Sequence, residues 1–160
     1  IDMGEAPLAV ARQHLDKSGL QVDYRQCTAE QLLLEEAAGF DIVCCLEMLE
    51  HVPDPAAVVE ACAGLARPGG CVYFSTLNRN PKAFLLAILG AEYLLRLLPA
   101  GTHEYARFIR PSELASWIRS AGLALQGMTG LTYNPLTREY RLDETDVGVN
   151  YMVRATRPLT

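Results

Sequence analysis

The chain has 160 residues, half of them hydrophobic, with 14 basic against 19 acidic side chains and a net charge of −5. That length suits one soluble globular domain. The acidic balance excludes a general nucleic-acid binder, because no stripe of Lys and Arg is present to neutralise phosphates.

The five cysteines, Cys27, Cys44, Cys45, Cys62 and Cys71, form no CxxC pair, and four lie in or beside apolar runs. They read as buried free thiols in a reducing cytoplasm. No signal peptide is apparent. The chain opens on Ile1-Asp2 rather than Met and reads as part of a longer protein.

Pro7 to Leu15 has helical spacing, with Leu8, Ala11 and Leu15 on one face and Gly19 as a stop. Leu20 to Gln26 alternates as a strand does. Thr28 with Gln31 three residues on is a capping-box pattern, which opens a helix to about Ala38. Phe40 to Leu46 is an apolar run bounded by Gly39 and predicts a buried strand. Asp54 between Pro53 and Pro55 is a cap for a helix over 56–66. Arg67-Pro68-Gly69-Gly70 marks a turn, and Cys71 to Thr76 a further strand. Strand and helix alternating in this way imply right-handed crossovers and a mostly parallel sheet. After Asn78 the rhythm changes. Residues 83–98 are almost wholly apolar, broken only by Glu92 and Arg96, and are too short to span a bilayer. Pro111 opens a helix through Ala121, stopped by Gly122. Leu123 to Tyr133 and Val147 to Thr156 predict two closing antiparallel strands joined by a long loop.

The chemistry concentrates in Leu46-Glu47-Met48-Leu49-Glu50-His51-Val52-Pro53-Asp54-Pro55. If a helical turn follows the strand, Glu47, Glu50 and His51 stand at i, i+3 and i+4 on one face. Open α/β sheets bind their ligands at the carboxyl ends of the strands. Two carboxylates and an imidazole there suit a hard divalent metal, Mg²⁺ or Mn²⁺, more than zinc. They equally suit acid–base work, with His51 as general base. A third reading is a solvated helix start with surface glutamates and a packing histidine.

The order of elements and these motifs resemble class I S-adenosylmethionine-dependent methyltransferases. The residues that carry the likeness are Asp2 at a strand end, Phe40 to Val43, Leu46 to Asp54 and Leu65 to Gly70. Ser75 to Asn80, Gly90 to Tyr93, Pro99 to His103 and Val149 to Met152 narrow it to the bacterial ubiquinone-biosynthesis O-methyltransferases. The resemblance spans essentially the whole chain. It implies a Rossmann-like α/β domain over residues 1–160, mostly parallel with an antiparallel last strand. The family's first strand and Gly-rich loop belong before Ile1 and are absent from this chain.

What the resemblance implies for the site is specific. Asp2 accepts the ribose hydroxyl protons of S-adenosylmethionine, Met3 covers one face of the adenine and Leu46 touches the cofactor. Glu47, Glu50 and His51 hold Mg²⁺ or another divalent cation, with Glu50 and His51 as catalytic residues. Asn78 and Arg79 are further candidates for substrate contact, and His103 for the substrate mouth. Thr28, Ala29 and Glu30 rank low because many relatives place Asp there. The substrate implied is a polyprenylated phenol or quinol.

Residues 81–104 form an apolar helical insert. Around it, residues 79–110 carry five basic against two acidic side chains. Such a segment suits the interface of an anionic bilayer, and the resemblance implies a cytoplasmic protein peripherally associated with the inner membrane. A lid helix or dimer contact is the plainer reading of the same residues. A quinone-biosynthesis assembly is a further expected partner. Two rivals remain: a methyltransferase of this fold acting on another small molecule, and a catalytically silent fragment serving as an interaction module.

Overall fold

A computed structural model describes residues 1–84, 105–134, 137 and 139–159. Five strands form one mixed sheet in the order β1-β2-β5-β3-β4. They are β1 (Phe40–Leu46), β2 (Ala66–Leu77), β3 (Ala124–Asn134), β4 (Glu139–Asp143) and β5 (Asn150–Thr156). The helices are α1 (Glu5–Ser18), α2 (Ala29–Glu35), α3 (Pro55–Leu65), the single turn α4 (Pro81–Ala83) and α5 (Pro111–Ser120). β1 and β2 run parallel. β5 pairs antiparallel with both β2 and β3, which places the last strand of the chain inside the sheet.

Local chemistry accounts for the helix ends. Thr28 and Gln31 form the complete capping box, with Gln31 N–H donating to Thr28 Oγ1 at 3.2 Å and Thr28 N–H to Gln31 Oε1 at 2.9 Å. Asp54 Oδ1 accepts from the Ala57 N–H at 3.1 Å, and Pro55 fills the first helical position of α3. α1 and α5 stop just before Gly19 and Gly122, both at positive φ. α2 ends three residues earlier than its pattern suggests, at Glu35.

The main core lies on one face of the sheet, and a smaller buried cluster, Leu77 with Ala83 and Phe108, is separate from it. Val72, Phe74, Tyr151, Val153 and Ala155 point into it and are buried, against α3 and its neighbours α2 and α5 through Val59, Leu32, Leu114 and Ile118. Tyr151 also donates its hydroxyl to the Ile109 carbonyl at 2.9 Å, which satisfies the polar end of a ring buried in apolar surroundings. Arg157, just past β5, directs Nη1 to the carbonyls of Ala63, Gly64 and Ala66 at 3.3, 3.1 and 2.7 Å. A guanidinium therefore caps the carboxyl end of α3.

Three expectations are corrected. Residues 20–26 are extended but join no ladder, because among the described residues no strand lies alongside to exchange backbone bonds; the Asp2 N–H bonds to the Arg25 carbonyl at 3.2 Å, and the Arg12 side chain donates to the Tyr24 carbonyl at 3.3 Å. The Arg67–Gly70 turn is present, but as an irregularity inside β2, where pairing jumps from Phe40–Ala66 to Ile42–Cys71 around Gly69 at φ +79°. The loop between the closing strands holds an additional edge strand, β4. Of the thiols, Cys45 and Cys62 are buried, whereas Cys44 is exposed on β1. Residues 85–104 of the apolar segment, His103 included, lie outside the described residues.

Candidate active site

β1, the edge strand of the described sheet, ends at Leu46, and the loop that follows carries Glu47, Glu50 and His51. Glu47 leaves the strand in a left-handed conformation, φ +50°, which a non-glycine residue adopts only when surrounding bonds hold it. Those bonds come from Ser75 of β2. The Glu47 N–H donates to the Ser75 carbonyl at 3.0 Å and to Oγ at 3.1 Å, and Ser75 Oγ donates to Glu47 Oε1 at 2.6 Å. A 3-10 turn over Leu49–His51 follows.

Glu50 is the unusual member. It is only 3% exposed, with Oε2 accepting from the Thr76 hydroxyl at 2.8 Å and Oε1 buried without a partner among the described residues. Burial pushes its carboxyl pKa above the ordinary value. Bonds from backbone and Thr76 partly oppose that rise; the Glu47 charge adds to it and His51 counters it. His51 itself is exposed, with its backbone N–H donating to the Met48 carbonyl at 3.0 Å.

The helical face drawn from spacing therefore does not form, since Glu47 is turned out of helical geometry and the turn begins only at Leu49. Among the described residues no three His, Cys, Asp or Glu side chains stand together at metal-holding distances. Glu47, Glu50 and His51 share one loop, and the charges of the other two act on Glu50, but the two carboxylates bond to different residues, Ser75 and Thr76.

Beside this loop, a cleft of about 430 Å³ runs along the open edge of β1. Ile42, Cys44, Leu46 and Met48 line it on the sheet side, with Asp2 and Arg25 opposite. Ile42 is 59% and Leu46 49% exposed there. Asp2 is exposed at the rim; its Oδ1 accepts from the Gly4 N–H at 2.6 Å, which leaves Oδ2 directed to no protein donor that fixes it. Met3 is 59% exposed next to Asp2 and is not among the lining residues, while Ala29 is. The cleft follows the side of β1 that has no strand partner among the described residues, so its apolar lining is an open sheet edge; the feature there that suits a nucleoside is the Asp2 carboxylate, an acceptor for ribose hydroxyls. Cys45 lines the same cleft, but its bond to Cys62 and its burial push the thiol far up, which makes it inert.

Spacing did not single out Ser75 and Thr76, which hold the two glutamates. The available signal was two hydroxyl residues closing an otherwise apolar strand. Asn78 and Arg79, expected at the substrate, direct their polar groups into the protein. Asn78 donates to the Val147 carbonyl at 2.8 Å, and Arg79 pairs with Glu113 and donates to the Ala106 carbonyl at 3.3 Å.

The fold is that of a class I S-adenosylmethionine-dependent methyltransferase. A methyltransferase domain model matches residues 1–74. Among solved structures, an S-adenosylmethionine-dependent methyltransferase of Thermotoga maritima superposes with a TM-score of 0.72 at 22% identity, over 96% of this chain and 70% of its own. A Bacillus halodurans methyltransferase follows at 0.68 and 19%, over 98% and 81%. Sequence is more specific. The ubiquinone biosynthesis O-methyltransferases of Azotobacter vinelandii and Stutzerimonas stutzeri are 66% and 64% identical over 157 residues, which is 98% of this chain and 67% of theirs. The chain belongs to the ubiquinone biosynthesis O-methyltransferase family and spans about two-thirds of its relatives' length.

Proposed function

We propose that this protein transfers a methyl group from S-adenosylmethionine to a ring hydroxyl of a polyprenylated catechol or demethylubiquinol. Family membership supports methyl transfer in ubiquinone biosynthesis. The observation that carries the chemistry is Glu50: a buried carboxylate with one unpartnered oxygen at the carboxyl end of β1. A fold does not retain such a group for stability.

The cofactor supplies an electrophilic methyl on a sulfonium. The protein's part is approach, alignment and a deprotonated oxygen. Asp2 accepts from the ribose hydroxyls and Leu46 packs against the cofactor, with Met3 closing over the adenine. As the oxygen–carbon bond forms, the sulfur–carbon bond breaks and its electron pair stays on sulfur. The hydroxyl proton leaves on the exposed side of the loop, where Glu47 and His51 stand.

Glu47, Glu50 and His51 are the residues that would hold a divalent cation. Their oxygen-rich donor set and the unpartnered Glu50 Oε1 fit Mg²⁺ or Mn²⁺, although bringing all three together requires side-chain rotation from the arrangement seen. Such an ion, when bound, lowers the pKa of the ring hydroxyl. In the alternative, His51 takes that proton as general base without a metal.

The basic and apolar composition of residues 81–104 and their flanks supports peripheral binding to an anionic inner membrane, where a prenylated substrate resides. Among the described residues no helix is long and apolar enough to cross a bilayer. Contact with other quinone-biosynthesis proteins is part of the same proposal. The test is transfer of labelled methyl from S-adenosylmethionine to a short-chain prenyl catechol by the full-length enzyme. Transfer to the ring oxygen supports the reading, and no transfer to any prenylated catechol or quinol overturns it.

A further inference from the structure

One row of side chains across the sheet carries a polar group that the account so far leaves unused. Leu77 stands opposite Asn150, Asn150 opposite Leu131, and Leu131 opposite Leu142, so the four project from one face. Leu46 and Ser75 belong to the same face, two residues back along β1 and β2. Because β5 runs antiparallel to β2, its first residue, Asn150, lies at the end of the sheet where β1 delivers Glu47. Strand spacing and rise place it about 12 Å from Leu46. A cofactor lying along Leu46 and a ring in front of it fit within that span.

Asn150 Oδ1 is sealed from solvent and finds no hydrogen-bond partner among the described residues, in a row otherwise made of leucines. The residue as a whole is only half-buried, so a side-chain rotation brings the amide to the mouth. Its backbone, by contrast, is held firmly. The Asn78 N–H donates to the Val149 carbonyl at 2.7 Å, and the Asn78 and Asn80 amides donate to the Val147 and Gly148 carbonyls at 2.8 Å each. The protein therefore fixes the position of Asn150 and leaves its acceptor unmatched. Buried acceptors are rarely left so unless something else supplies the donor.

We infer that Asn150 is a substrate-contact residue whose Oδ1 accepts the proton of the ring hydroxyl that is not methylated. Leu131, half-buried on one side, supplies apolar contact for the ring, while Leu77 on the other is packed against Ala83 and Phe108 and fixes that wall. The bond sets which of two neighbouring hydroxyls faces the methyl group, so Asn150 determines specificity for a vicinal diol. This rests on the catechol reading proposed above.

The experiment compares full-length wild type with Asn150→Leu and Asn150→Ala on two substrates. One is a short-chain prenyl catechol; the other is the same ring bearing only the reacting hydroxyl. Wild type is expected to prefer the diol, and in both variants that preference in kcat/KM falls by about tenfold, the value of one hydrogen bond to a hydroxyl. Affinity for S-adenosylhomocysteine stays unchanged, and the Tm of Asn150→Leu equals or exceeds that of wild type. A preference within twofold of wild type in both variants overturns the inference. So does an equal loss on both substrates, which marks a structural role. Failure of wild type to methylate either ring would instead overturn the catechol reading itself.

Discussion

Thr76 donates its hydroxyl to Oε2 of Glu50 at 2.8 Å, and both residues are buried, at 0% and 3% exposure. This single bond holds a carboxylate that the fold would otherwise reject. It links β2 to the loop after β1, so the loop that carries Glu47, Glu50 and His51 is anchored on the neighbouring strand twice, by Ser75 and by Thr76.

A pH dependence of stability follows. Burial raises the folded-state pKa of Glu50 above its ordinary 4.5. Between those two values the native state binds more protons than the unfolded one. Its contribution to stability is thus complete below pH 4.5 and is lost as pH rises through the folded value. Glu50→Gln removes that loss and keeps the acceptor for Thr76. Its Tm should exceed wild type at pH 7 and match it near pH 4, while methyl transfer falls about 10²- to 10⁴-fold. Thermal melts at both pH values with parallel assays check this; a Gln variant less stable than wild type at pH 7 contradicts it.

Asp2→Ala should weaken binding of S-adenosylhomocysteine by about 10- to 100-fold, as expected for loss of a carboxylate acceptor for two hydroxyls. Asp2 is exposed and its bond to Gly4 is local, so the Tm should move little. Calorimetric titration of the variant measures the first effect and a melt the second.

Arg157→Ala removes the donor that the Ala63, Gly64 and Ala66 carbonyls share at the end of α3; Gly64 keeps its bond from the Ala38 N–H at 2.8 Å. A loss of about 1–3 kcal/mol in urea unfolding is expected, and Arg157→Lys should recover only part of it, because an ammonium lacks the planar fork.

Gly130 lies where the loop before β5 crosses β3. A Cβ added there would meet the Asp146 carbonyl oxygen at 1.6 Å, and that contact is backbone, which cannot step aside as a side chain can. Gly130→Ala should therefore cost about 1–3 kcal/mol or more. It should also displace the loop carbonyls of Val147 and Gly148 that bind Asn78 and Asn80, and so raise KM for the acceptor substrate. Stability and steady-state kinetics on one preparation test both parts.

The elements with local signatures were legible in the sequence. Thr28 with Gln31, Asp54 before Pro55 and the glycines at 19 and 122 act through bonds within a few residues, so pattern and structure agree. What escaped depends on distant neighbours. β4 is Glu139-Tyr140-Arg141-Leu142-Asp143, mostly charged, and becomes a strand through cross-strand pairing of Tyr140 with Tyr133 and Leu142 with Leu131. Residues 20–26 alternate correctly yet have no ladder to join. At the site, the motif pointed to Glu47, Glu50 and His51 as candidates but did not encode their geometry. The left-handed turn at Glu47 is imposed by Ser75, 28 positions away, and no local pattern encodes it. Asn150 shows as unpartnered only once β2 and β3 flank it.

The central claim is that Glu47, Glu50 and His51 work together on the ring hydroxyl through a divalent cation. The most direct test is titration of the metal-stripped full-length enzyme with Mg²⁺ or Mn²⁺, following methyl transfer to a prenyl catechol alongside calorimetric binding of the ion. The account predicts saturable recovery of activity by the ion, with both binding and recovery abolished in Glu50→Gln and weakened at least about tenfold in His51→Ala. Full activity in the stripped enzyme, with no ion binding above that of Glu50→Gln, would contradict it and leave His51 as a general base.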